Sequence, residues 1–151
     1  MTKKIFIFLI LALGAISPVL SWTQEKTDIP SAVIDKSLAE EPPLSQADID
    51  AYIKIMPEMS RLMGDPQSAG QLAAGLNLSQ IRFSYIIIKV PLAMALASGV
   101  DPKLLGLDSL PQALRPSDQE LSLVKDNLEV LLEAAEETKR ALGSGPGAAA
   151  Q

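Results

Sequence analysis

"RFSYIIIKVPLAMALASGV", residues 82–100, decides the fold of this chain. Three consecutive isoleucines, a lysine, a proline and a run of small apolar residues admit three readings: a buried β-strand, a membrane span, or a helix carrying a proline. The residues just before it help to choose. "NLSQ" offers Asn77 as an N-cap with Gln80 three positions on, a variant of the capping box in which cap and third residue satisfy each other's backbone donors. Leu78, Ile81, Tyr85, Ile88, Leu92 and Ala95 then recur at 3-4-3-4-3 spacing, one apolar stripe of a helix. A second stripe, Ile86, Val90, Met94 and Ala97, makes the segment apolar on most sides, as in the interior of a helical bundle. A half-buried strand would alternate, and "YIIIKV" does not. A fully buried strand need not alternate, so "SYIIIKV" (84–90) keeps that alternative. It lacks a second strand to pair with.

The membrane reading is the weakest of the three. Residues 85–100 number 16, short of the roughly 20 that a span needs. Lys89 would cost ~2.5–3.5 kcal/mol near the centre of a span. Pro91 leaves the carbonyl of Ile87 without its amide donor, which predicts a bend.

Outward from this segment the chain is punctuated. Ser45 caps a helix with Asp48 three residues later, and Leu44 and Ile49 stand at the hydrophobic-staple positions. Ile49, Tyr52, Met56, Met59 and Met63 form its stripe, with a kink or break expected at Pro57 and an end at Gly64. Asp65 and Pro66 start another helix as cap and first residue. Its stripe is Ala69, Leu72, Ala73 and Leu76, with Gly70 and Gly75 available for close backbone contact. Residues 99–117 hold three prolines and two glycines and read as one-turn pieces, "DPKLL" and "SLPQAL". Leu104, Leu105, Leu107, Leu110 and Leu114 are expected to pack back onto the core. "SDQE" is a full capping box, Ser117 with Glu120. Leu121, Val124, Leu128, Leu131, Ala135, Thr138 and Leu142 then hold 3-4 spacing along a last helix that Gly143 stops. The predicted fold is all-α: a small irregular bundle of three to four main helices over residues 44–142.

The N-terminus has a separate logic. Two lysines, an apolar run from Ile5 to Ile16, Pro18 and small Ser21 match the three regions of a cleavable secretory signal peptide over residues 1–21. Residues 22–43 read as a mobile leader, with "AVIDKSL" able to form a turn of helix, and 143–151 as a disordered tail. Removing Lys3 and Lys4 from 13 basic residues leaves 11 against 18 acidic ones, a formal charge of −7. Such a surface repels phosphate backbones, which disfavours nucleic acid. With no cysteine, an exported chain relies on packing, as suits a bacterial periplasm. With no histidine, the commonest general base and transition-metal ligand is missing.

Candidate chemistry is sparse. "SLVK" (122–125) has the Ser–Lys spacing of penicillin-binding enzymes but no partner motifs. "GQLAAG" lacks the lysine of a phosphate loop. Asp48, Asp50, Glu133 and Glu137 would support a carboxylate enzyme only if two of them converged on a cleft. No catalytic, metal or cofactor residue is assigned. Lys89, the one charge in the most apolar segment, is expected to snorkel to the rim; the sharper alternative is a buried partner for an acid. Tyr85, Lys89, Pro91, Met94, Met56 and Met59 are the candidate lining of a pocket or groove, since thioethers suit adaptable apolar surfaces. The favoured function is a non-enzymatic exported module that binds a protein partner, or itself, through an apolar helix face. The alternative is a carrier of a small apolar ligand near Pro91. No stable membrane span is expected in the mature chain.

Overall fold

The computed structural model describes residues 36–64 and 66–143. The proposed signal segment, residues 22–35 of the leader, the Asp65 cap and the tail beyond Gly143 lie outside the described residues. Six α-helices follow in order: α1 Gln46–Ile55, α2 Met59–Gly64, α3 Pro66–Gly75, α4 Gln80–Ala97, α5 Asp118–Asp126 and α6 Leu128–Gly143. Residues 36–39 add a helical turn before them, and the described residues contain no strand. The fold is all-α, and the strand alternative for 84–90 falls.

The opening segment is α4, the centre of the structure. It touches α1, α3, α5 and the 3-10 turn Gln112–Leu114. Phe83, Tyr85 to Ala93 without a break, and Ala95 are all buried. Both predicted stripes therefore face protein, except that Ile81 is 40% exposed. Each fully buried side chain of the Ile and Leu class contributes ~1.5–3 kcal/mol, so this one segment carries much of the apolar stabilisation. By length and composition α4 could cross a membrane; here it is covered by its neighbours.

The cap of α4 differs from expectation. Ser79, not Asn77, accepts the hydrogen bond from the Arg82 N–H. Asn77 has φ 57° and ends α3: its N–H donates to Ala74, and that of Leu78 to Ala73. This is a Schellman stop, in which Asn is tolerated in the left-handed region that Gly usually fills. Gly99, φ 85°, closes α4 the same way, with Gly99 N–H on Leu96 and Val100 N–H on Ala95. Pro91 lies buried inside a continuous α4.

Pro57 does break its helix: Met56–Glu58 is a 3-10 turn between α1 and α2. Among the described residues, the α3 glycines do not use the close backbone contact they are available for. A Cβ on Gly70 would meet only the Gln80 side chain at 3.5 Å, and one on Gly75 would meet open space. The loop after α4 forms three 3-10 turns, with Leu105 and Leu114 buried as expected but Leu104 70% exposed. The long last helix is two helices. At Asn127 (φ −104°, ψ 5°) the side-chain amide donates to the Leu123 carbonyl and exchanges two hydrogen bonds with Gln46 of α1, at 2.9 and 3.1 Å. A side chain that competes for backbone groups is a recognised cause of local helix interruption.

The packed structure also reaches upstream of the boundary drawn at 44. Leu38 is 5% exposed and belongs to the same core as Leu44, Ile49 and Ile86.

Candidate functional site

Three polar side chains lie on one face of α4: Arg82, Tyr85 and Lys89, at i, i+3 and i+7, the spacing that aligns residues along a helix. Each cation meets a carboxylate that already has another task. That carboxylate is the third residue of a capping box in both cases, Asp48 for α1 and Glu120 for α5. Two helix N-termini are thereby tied to α4 through their own capping acids.

The inner centre is built on Glu120, which is 1% exposed. Its Oε2 accepts from the Ser117 N–H (2.8 Å) and Ser117 hydroxyl (2.9 Å). Its Oε1 accepts from the Leu44 N–H (2.9 Å), the Tyr85 hydroxyl (3.0 Å) and the Lys89 ammonium (2.9 Å). Lys89 also donates to the Tyr85 hydroxyl at 2.6 Å. Burial alone would raise the Glu120 pKa. Hydrogen bonds from the Ser117 N–H, Lys89, the Leu44 N–H and the Ser117 hydroxyl outweigh it and hold the carboxyl down at about 2. Burial, and then the adjacent Glu120 carboxylate, push the Tyr85 hydroxyl above its usual range, so it stays a donor.

The outer centre is built on Arg82. Its Nε donates to Asp48 Oδ1 at 3.0 Å and its Nη2 to Asp48 Oδ2, a two-point contact suited to a guanidinium. Nη1 reaches Glu41 (3.3 Å) and the Pro42 carbonyl, and Nη2 the Pro43 carbonyl (3.2 Å). Ser45 donates to Asp48 from its N–H (2.7 Å) and hydroxyl (2.6 Å). Burial would raise the Asp48 pKa, but Arg82 and Ser45 outweigh it and lower it. The Tyr85 ring stands between the centres, 4.9 Å from the Arg82 guanidinium and 4.5 Å from the Lys89 ammonium, within cation–π range.

These groups are saturated. Both oxygens of Glu120 accept two or more donors, Asp48 Oδ2 accepts three and Asp48 Oδ1 one, and among the described residues no buried side-chain N or O atom lacks a partner. The arrangement can fix helix ends and orient α4. A proton transfer would have to break the contacts that hold it. Nor do the described residues contain a group of three or more His, Cys, Asp or Glu able to hold a metal ion.

Of the candidate groove residues, Tyr85, Lys89, Pro91 and Met56 are buried, while Met59 and Met94 are partly buried against the same core. The structure brings Tyr85 and Lys89 together in the inner centre. Lys89 does not snorkel: it is 5% exposed and paired with an acid, because Glu120 lies within reach and supplies the compensating charge. Arg82, Glu41 and the second role of Glu120 escaped the sequence reading. The available signal was Arg82 and Lys89 placed three and four residues either side of Tyr85 on an otherwise apolar helix.

No protein-family model matches this chain, and no curated protein or solved structure matches it either.

Proposed function

We propose that this chain is a non-catalytic exported module: a small helical bundle, freed of its signal segment after Ser21, that binds a protein partner in the bacterial periplasm. The observation that carries the non-catalytic part is the fate of the buried charges. Asp48, Lys89 and Glu120, the charged side chains buried among the described residues, are occupied in capping and pairing, whereas a general acid or base needs an open position beside its substrate. Binding is supported by what α6 leaves outside. Leu131, Ala135 and Thr138 of its seam are buried, while Val130 and Leu142 are 53% and 57% exposed.

The test is photo-crosslinking in intact bacteria from a probe at position 130, with light scattering of the purified chain. The expected result is one discrete adduct from position 130 and none from the exposed position 122, with Trp22 as the first residue of the processed protein. A strictly monomeric protein giving no adduct from position 130 overturns the reading.

A further inference from the structure

We propose that residues 36–44 are a releasable strap latched by Arg82, and that its undocking uncovers the Tyr85–Lys89–Glu120 centre while the helices behind it stay assembled. This does not depend on the function proposed above.

The strap is attached in an unusual way. Pro42 and Pro43 have no N–H to offer, and both of their carbonyls are taken by Arg82. Arg82 also takes the Glu41 carboxylate at 3.3 Å. One guanidinium thus holds three consecutive residues of a segment without regular structure. Among the described residues, the strap's other polar tie is the Leu44 N–H on Glu120. Its remaining hold is apolar, through Leu38 and Leu44, each 5% exposed.

It can also detach as a unit. The backbone bonds of its helical turn are internal, Glu40 N–H to Lys36 and Glu41 N–H to Leu38. The next element does not rely on it, because α1 is capped by Ser45 and Asp48 between themselves. Segments with few buried contacts and few outward backbone bonds open below the global unfolding free energy. Undocking removes the Leu44 N–H from Glu120 and returns part of the Arg82 fork to solvent. That leaves a cationic and aromatic face able to take the carboxylate or carbonyl groups of another extended segment.

Native-state hydrogen exchange on the full chain tests this, comparing wild type with Arg82→Gln and Arg82→Lys. In wild type under low denaturant, the Leu44 amide should exchange through an opening that exposes less surface than the opening of α4 and α5 amides. In Arg82→Gln, Leu44 should exchange roughly tenfold faster or more, the loss expected for charge-assisted hydrogen bonds, while α5 and α6 amides keep their rates relative to one another. Arg82→Lys, which keeps the charge but not the fork, should fall between the two. The proposal is overturned if Leu44 and the core amides of wild type share one opening. It is also overturned if Arg82→Gln leaves Leu44 as protected as before. Should Arg82→Gln fail to fold, the wild-type denaturant series and Arg82→Lys decide.

Discussion

The two polar centres on α4 share a plan and differ in what they hold. Each joins a cation of α4 to the third residue of a capping box. At the inner centre a lysine meets a glutamate, with side chains 6% and 1% exposed, and the partners come from α4, α5 and Leu44. At the outer centre an arginine meets an aspartate, with side chains 13% and 6% exposed, and the guanidinium fork spreads over Asp48, Glu41 and two proline carbonyls. Lysine is a point charge, suited to one deep acceptor, whereas arginine distributes several directed donors. Both centres therefore fix a helix N-terminus to α4, and the outer one also fastens an extended segment through the Glu41 carboxylate and the two proline carbonyls. Removing a charge should cost most where the partner left behind has no water to turn to.

Glu120→Ala should have the largest effect. It strips the acceptor from the Leu44 N–H, Tyr85, Lys89 and the cap of α5, and leaves a buried ammonium unpaired. A loss of ~3–5 kcal/mol is expected in urea unfolding; less than ~1 kcal/mol would place the inner centre on the same footing as a surface pair. Lys89→Met comes next, at ~3 kcal/mol, because Ser117 and Leu44 still satisfy part of the carboxylate.

Acid should weaken both centres with a definite sign. Glu120 falls from 4.5 to about 2 on folding, and Asp48 falls below its ordinary 3.8. A depressed carboxylate contributes stability that is complete above the unfolded pKa and is lost as pH falls through the folded one. Stability should thus drop from about pH 4.5 towards pH 2, and Glu120→Gln should flatten most of that slope. An unchanged slope in Glu120→Gln would shift the effect to other acids.

At the outer centre Arg82→Lys should cost ~1–2 kcal/mol, through loss of the fork with charge retained. Ser45→Ala, which removes one cap hydroxyl, should cost about 1 kcal/mol, a shift of ~4–8 °C in Tm for a structure of this size.

The sequence displayed the apolar frame better than the polar one. The stripes of α1, α3 and α4, the break at Pro57, and both capping boxes follow from spacing and local chemistry. Errors arose where one residue type serves two local purposes. Asn77 was expected to start α4, and it stops α3, because Asn suits both an N-cap and a left-handed C′ position. Asn127 looked like an ordinary position inside a long helix. Its competing bond to Leu123 and its pairing with Gln46, 81 residues away, were invisible to periodicity. Glu120 reads from the sequence as the third residue of the α5 capping box, and it holds that place. Its burial against Lys89 needed the packing of α5 on α4, which no local pattern encodes.

The most direct measurement is a double-mutant cycle of Lys89→Met and Glu120→Gln, with unfolding free energies for wild type, both single variants and the pair. If the inner centre is a closed structural ion pair, the double variant should be less destabilised than the sum of the singles by ~1–3 kcal/mol. Additive single effects, agreeing within ~0.5 kcal/mol, would mean that Lys89 and Glu120 act separately and would contradict the role assigned here to the charges of α4.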